Sequence, residues 1–213
     1  MMLRVSEIFA SIQGETTYVG LPFAFIRLTG CNLRCRYCDT AYAYEGGEEI
    51  PLGEVVSRVT RFGIPRVTVT GGEPLLQEEA PALVAALLDR NFTVLVETNG
   101  TVPLSLLNTR AVRIMDVKCP GSGEAGKTAW ENFALLAPHD EVKFVISSEE
   151  DYRFAREVIE TYGKNHPFKA LLSPVAGLLP PQELAGWMVG DAIDARFQLQ
   201  IHKLLWGPDR RGV

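Results

Sequence analysis

The sequence lacks most features that would tie it to a membrane, a secreted scaffold or nucleic acid. No apolar run approaches the roughly 20 residues that a bilayer-spanning helix needs. The opening stretch "MMLRVSEIFASIQGE" has no signal-peptide pattern, because its apolar segment is short and is broken by Glu7. Positive charge is not in excess: 21 Lys and Arg face 26 Asp and Glu, a net charge of −5. That removes the electrostatic reason to expect broad binding to nucleic acid or an anionic membrane. No repeat, low-complexity segment or linker divides the 213 residues, so a single domain spanning 1–213 is expected. Cysteine is scarce, with four in all. A cytoplasmic location is the expectation, and closely spaced cysteines there are ligands or redox groups more often than disulfides.

What is present is an alternation of short apolar runs and helical patterns. Strands are expected at Phe23–Thr29, Arg66–Thr70, Thr93–Glu97, Arg113–Val117, Val142–Ile146, Lys169–Leu172 and Gln198–Ile201. Most are apolar along their whole length, as in a parallel sheet covered on both faces. Helices are expected at Leu52–Phe62, at Glu78–Arg90 with Asn91 as its stop, at Ala129–Leu136, at Glu149–Tyr162 before Gly163, and at Pro181–Arg196. Gly186 and Gly190 weaken the last of these. The alternation predicts an α/β fold with a parallel sheet. The chain is short for eight βα units, so an incomplete TIM-like barrel is expected. Its ligands should bind at the carboxyl ends of the strands.

Three of the four cysteines, Cys31, Cys35 and Cys38, fall in "CNLRCRYC" just after the first of these strands. Thiolates suit zinc and iron–sulfur clusters. Structural zinc needs four ligands, and no fourth Cys or His lies nearby; Cys119, His139, His166 and His202 are distant in sequence. A zinc site completed from afar, three incidental thiols and a cubane with one open iron all remain as readings. Cys119 reads as a small semi-buried apolar residue. "VTVTGGEP" (Val67–Pro74) places Gly71, Gly72 and Glu73 at the end of the next strand, where paired glycines would let backbone approach a ligand. "LVETNGT" ends a later strand with Glu97, Thr98 and Asn99, which suit either a ribose or a solvated turn. "MDVKCPGSGE" offers Asp116 and Lys118 as an ion pair or as pocket lining. Ser147 and Ser148 occupy a similar place one strand further on.

The cysteine spacing, with Tyr37 before the last cysteine, together with GGEP, resembles the radical S-adenosylmethionine (SAM) superfamily. The resemblance implies a [4Fe–4S] cluster on Cys31, Cys35 and Cys38, whose open iron chelates SAM. It also implies SAM contacts from Tyr37, Cys38, Asp39, Gly71, Gly72, Glu73, Glu97, Asn99, Lys118, Ser147 and His202.

The segment "SEIFASIQGETTYVGLPFAFIRLTGCNLRC", the "CDT" at Cys38–Thr40 and the closing "LQIHKLLWGPDRRGV" narrow the likeness. They are similar to the 7-carboxy-7-deazaguanine synthase family of deazapurine (queuosine) biosynthesis, over nearly the whole chain. This resemblance implies a lyase that acts on 6-carboxy-5,6,7,8-tetrahydropterin, releases ammonia and regenerates SAM after hydrogen abstraction from C6. It implies substrate contacts from Ile12, Gln13, Gly14, Glu15, Arg27, Thr70 and Val213. A Mg²⁺ ion held through the Thr40 hydroxyl, a homodimer and a flavodoxin or ferredoxin as reductant belong to the same picture. A planar guanidinium such as Arg27 suits a carboxylate. Without the family, Arg27 reads as half of an ion pair, Thr40 as a turn residue and His202 as a structural residue at a strand end. Two other classes compete: an activase that installs a glycyl radical on a partner protein, and a non-enzymatic metal- or cluster-bearing module.

Overall fold

A computed structural model describes the chain apart from residues 208, 209 and 213. Nine strands form one sheet in the order β3-β1-β2-β4-β5-β6-β7-β8-β9. They are β1 (Met2–Ile12), β2 (Pro22–Leu28), β3 (Glu48–Pro51), β4 (Arg66–Gly71), β5 (Thr93–Thr98), β6 (Val112–Val117), β7 (Glu141–Ile146), β8 (Lys169–Pro174) and β9 (Arg196–Phe197). From β2 through β9 neighbouring strands are parallel. β1 runs antiparallel to both β2 and β3. β3 and β9 are the two edges, so the sheet is a partial barrel and does not close.

The helices are α1 (Leu52–Thr60), α2 (Ala80–Leu88), α3 (Glu149–Tyr162), α4 (Pro181–Gly190) and α5 (Ile201–Trp206). α1 turns Val55, Val56 and Val59 inward. The strands feed two separate apolar clusters by simple alternation. Ala24, Ile26 and Leu28, Val94 and Val96, and Met115 and Val117 join the helix-covered core. Their neighbours Phe23, Phe25, Leu95, Val112 and Ile114 form a smaller cluster with Phe9 and Tyr18. Each fully buried aliphatic side chain contributes about 1.5–3 kcal/mol. Both faces being covered explains why most of these strands read as largely apolar runs.

Several expectations need correction. β1 and β3 did not stand out in the sequence. β1 is studded with Arg4, Ser6, Glu7 and Ser11, and a register shift between Val5 and Glu7 breaks its alternation. Gln198–Ile201 is not a strand: only Arg196–Phe197 pairs with β8, and Ile201 opens α5. Four residues are too few for periodicity to decide between the two. Trp130–Leu135 is 3₁₀ rather than α-helical. There the Asn132 amide reaches Gly100 O and Val102 O and accepts from Leu104 N, which ties the turn down before a helix can extend. α4 stops at Gly190, and Ala192 takes a left-handed φ of 47° soon after. Asn91 does adopt the left-handed conformation (φ 61°) that stops α2, and Phe92 N caps back to Leu87 O at 3.2 Å.

Gly186 lies inside α4, and a Cβ there would meet nothing within 4 Å. Gly186→Ala is therefore expected to stabilise by about 1 kcal/mol. Thermal unfolding followed by circular dichroism should show a midpoint about 2–4 °C higher.

Candidate active site

The strand ends from β2 to β8 open into one cleft of about 590 Å³. Its lining contains Cys31, Cys35, Tyr37, Cys38, Asp39 and Thr40 from the loop after β2, and Thr70, Gly71 and Gly72 from β4. Glu97 and Asn99 come from β5, and Asp116 and Lys118 from β6. Ile12, Gln13, Gly14, Glu15, Arg27 and His202 also line it. Residues far apart in the sequence thus share one cavity.

The cysteine loop is fixed by backbone bonds on each side. Gly30 N donates to Ala43 O at 2.8 Å, Glu73 N donates to Gly30 O at 2.7 Å, and Arg36 N donates to Ser122 O at 3.0 Å. The Tyr37 hydroxyl donates to Val145 O at 3.1 Å. Leu33 N and Asn99 Nδ2 lie 3.4 and 3.9 Å from Cys31 Sγ; such N–H groups near sulfur tune the potential of a cluster. Burial pushes the Cys31 and Cys35 thiols up, Cys35 to about 11, so ligation must displace protons.

No three Cys, His, Asp or Glu side chains among the described residues stand close enough to hold a single metal ion. The three thiols face the same cavity without converging on one point. Zinc needs thiolates within about 2.3 Å of one centre. Three thiols lining one cavity are the donor set that a cubane takes, one thiolate at each of three irons. A second fit lies on β6: Asp116 Oδ1 is buried without a hydrogen-bond partner, an acceptor left over in the wall of the cleft.

The GGEP turn acts differently from the sequence expectation. A Cβ on Gly71 would lie 2.3 Å from Leu28 O, and one on Gly72 would lie 2.3 Å from Gly30 O and 2.6 Å from Cys31 Cβ. These glycines are needed first for the approach of the cysteine loop. Glu73 is fully buried and does not line the cleft. Its carboxylate accepts from Thr98 Oγ1, Asn99 N and Leu75 N. Through these bonds it positions the β5 end. Ser147 also misses the lining; its hydroxyl and N–H both bond Asp151 at the start of α3. Val213 lies outside the described residues.

Residues 13–17 lie against the sheet and are anchored to β4 and β7. Gln13 Nε2 donates to Thr68 Oγ1 at 3.1 Å. Glu15 pairs with Lys143 on β7 at 2.8 Å, and Thr17 N donates to Glu141. The segment before α5 seals it from above. Gln198 Nε2 donates to Thr16 O, Gln200 Nε2 donates to Glu15 Oε1, and Ile201 N donates to Gly14 O. A Cβ on Gly14 would fall 2.0 Å from His202 Nδ1, so glycine here lets α5 close down. His202 therefore sits in a helix, not at a strand end, and burial lowers its pKa.

Charge in the cleft is dense and paired. Burial pushes Glu15 up, but the Lys143 ammonium and the bonds from Lys143 and Gln200 outweigh it and hold the carboxyl at about 2. Burial also opposes the Lys143 charge, and Glu15, Asp116 and Glu97 overcome it. Burial raises Glu97, and the Lys143 and Arg27 charges offset this only in part. Lys118 pairs with Asp116 at 3.0 Å, so the ion-pair and pocket-lining readings both hold. Arg27 pairs with Glu7 at 2.7 Å, and the Tyr42 hydroxyl donates to the same Glu7 oxygen at 2.6 Å. Thr40 Oγ1 donates to Asp39 Oδ1 at 2.9 Å, and Lys203 holds the other Asp39 oxygen at 2.6 Å.

Lys143, Gln200, Lys203, Glu7 and Tyr42 were not foreseen as parts of the site. One signal was available: Lys143 interrupts the apolar run "EVKFVI" of a strand buried on both faces, and a buried charge needs a partner. The two glutamines before α5 carried no comparable signal.

The chain is similar to known proteins over nearly its whole length. The Radical SAM superfamily profile matches residues 25–169. The chain is 45% identical over 214 residues to a 7-carboxy-7-deazaguanine synthase of Chlorobaculum tepidum, with 99% of this chain and 97% of that protein covered. It is 42% identical over 228 residues to the Koribacter versatilis protein of that name, covering 99% and 100%. Among solved structures it superposes on QueE from Escherichia coli with a TM-score of 0.78 at 22% identity, covering 93% and 94%. That last likeness speaks to the fold.

Proposed function

The chain belongs to the 7-carboxy-7-deazaguanine synthase family of radical SAM enzymes, and from that premise we propose that it converts 6-carboxy-5,6,7,8-tetrahydropterin to 7-carboxy-7-deazaguanine. Magnesium dependence and release of ammonia are part of this reading. The observation that carries it is the meeting, in one cleft, of the three-cysteine loop with an anchored set of opposed charges.

Cys31, Cys35 and Cys38 would hold the [4Fe–4S] cluster. The backbone of Gly71 and Gly72, with Tyr37, Asp39, Glu97, Asn99, Lys118 and His202, would hold SAM. Cluster and SAM together supply a one-electron route to a carbon-centred radical, chemistry that no side chain provides. The protein's own share is binding, orientation and exclusion of water. Arg27 presents its guanidinium to the substrate carboxylate while Glu7 fixes its Nε side. Gln13 and Glu15 face the donor and acceptor edge of the pterin, with Ile12 and Thr70 beside them. Thr40 is the proposed protein ligand of Mg²⁺: its proton is turned toward Asp39, which leaves its lone pairs for the ion. The segment before α5 covers this arrangement and limits access of water. A homodimer and a low-potential reductant such as flavodoxin or ferredoxin complete the proposal. Among the described residues no helix is long and apolar enough to cross a membrane.

The test is anaerobic incubation of the reduced, reconstituted enzyme with SAM and the carboxytetrahydropterin. Equal amounts of deazapurine and ammonia are expected, with SAM not consumed. Omitting Mg²⁺ should slow turnover about tenfold or more. If 5′-deoxyadenosine accumulates while no deazapurine forms, the assignment fails and a glycyl-radical activase becomes the better reading.

A further inference from the structure

Lys143 has no place in the site as read from the sequence, yet it lies at the centre of the cleft's charges. It is buried on β7, 2.8 Å from Glu15 Oε2 and 3.4 Å from Asp116 Oδ2. Asp116 already has Lys118 at 3.0 Å, whereas Glu15 has no other cation within salt-bridge distance among the described residues. Its second oxygen is held at 2.7 Å by Gln200 Nε2, whose own carbonyl oxygen accepts from Lys203 at 2.7 Å. Glu15 is thus fixed at both oxygens, and its remaining lone pairs are directed by those bonds.

We propose that Lys143 and Gln200 are positioning residues that hold Glu15 as a fixed, ionised acceptor for the two-donor, guanidine-like edge of the substrate. The inference rests on the functional reading above. A carboxylate pairs two parallel N–H donors only when it is ionised and correctly oriented. Buried alone, Glu15 would take up a proton and offer a hydroxyl where the substrate also offers hydrogens. The groups facing it are Lys143 from β7, Gln200 and His202 from the C-terminal segment, and, around the same ammonium, Glu97 from β5 and Asp116 from β6. Neutral His202 cannot replace the lysine, and Arg27 is committed to Glu7. Among the described residues Lys143 is therefore the one cation placed to keep Glu15 charged, with Gln200 bonding its other oxygen.

The test uses cluster-loaded enzyme with SAM. Binding of pterin-6-carboxylate is followed by fluorescence, and turnover is measured with the carboxytetrahydropterin. Lys143→Met is expected to weaken pterin binding and raise KM about tenfold or more at pH 7, with kcat and SAM affinity changed less. Without the cation, burial pushes the Glu15 carboxyl up. Rising pH then removes its proton, and the binding defect should shrink between about pH 6 and about pH 9. Wild type, with Glu15 held at about 2, has no such component, and neither should the double variant Glu15→Gln, Lys143→Met. Lys143→Arg keeps the charge and should retain most binding. Gln200→Ala leaves no buried charge unpaired and should raise KM about threefold. The proposal is overturned if the Met variant binds pterin as wild type does, if its defect is the same at every pH, or if Arg and Met lose equally. Should Lys143→Met not fold, the Arg variant and Gln200→Ala decide by the same readouts. A wild type that neither binds nor turns over the pterin would instead overturn the functional reading, and this inference with it.

Discussion

Cys35→Ala is expected to abolish the cluster and to lower turnover by on the order of 10³-fold or more. Cys35 lies between the other two cysteines in the loop after β2, half-buried and facing the cleft. Its loss removes one of three thiolates from a set that has no spare. Cys119 cannot substitute: it is fully buried, lies outside the cleft lining, and burial pushes its thiol far up. The fold should survive, because the loop is held by backbone bonds from Gly30 and Arg36 and by the Tyr37 hydroxyl, none of which uses the Cys35 sulfur. The destabilisation expected is about 1 kcal/mol or less. Anaerobic iron and sulfide analysis of reconstituted wild type and variant, with visible absorption, checks it. A wild type holding one zinc and no sulfide would remove the radical reading altogether. A variant that kept full iron, sulfide and turnover would remove Cys35 from the ligand set.

The parallel part of the sheet was legible because β2 and β4 to β8 are buried on both faces along most of their length and so are largely apolar. β1 was not legible, because half of its residues serve the site or face solvent. Glu7 is the clearest case. In the sequence it breaks an apolar run; in the structure it is the partner that orients Arg27. The site followed the same division. Cysteines, glycines and strand-end acids advertise themselves by type and spacing. Lys143, Gln200 and Lys203 act through partners more than 100 residues away, at Glu15 and Asp39, and no local pattern encodes a partner at that distance. The two glutamines also explain the false strand at Gln198–Ile201. Their alternation with Leu199 and Ile201 mimics a half-buried strand, but Gln198 and Gln200 are spent on Thr16 and Glu15. Glu73 shows a role that its motif does not encode. Its motif marks it as a contact, while its burial and three donors make it a brace for the β5 end.

Gly72→Ala tests the other half of this argument, namely that the glycines of GGEP serve the cysteine loop before they serve a ligand. An added methyl would sit 2.3 Å from Gly30 O and 2.6 Å from Cys31 Cβ. Neither neighbour is a flexible side-chain tip. Gly30 itself has a φ of 104°, a conformation that side-chain-bearing residues rarely adopt, and its carbonyl accepts from Glu73 N at 2.7 Å. Relieving the clash means moving the loop that carries Cys31 or breaking the bond that ties it to β4. Overpacking of this kind costs about 1–3 kcal/mol, and here the displacement falls on a proposed cluster ligand. The variant is expected to fold with a lowered unfolding midpoint, to bind less than half the wild-type iron after reconstitution, and to lose turnover in proportion or more. Gly126→Ala is the matched control: a Cβ there meets nothing within 4 Å, so stability and iron content should stay near wild type. If Gly72→Ala took up full iron and sulfide and lost only SAM affinity, the glycine would be there for the ligand, and the steric account of the motif would be wrong. If iron falls first, the order of dependence is set: β4 shapes the cysteine loop, and the loop then shapes the cofactor site.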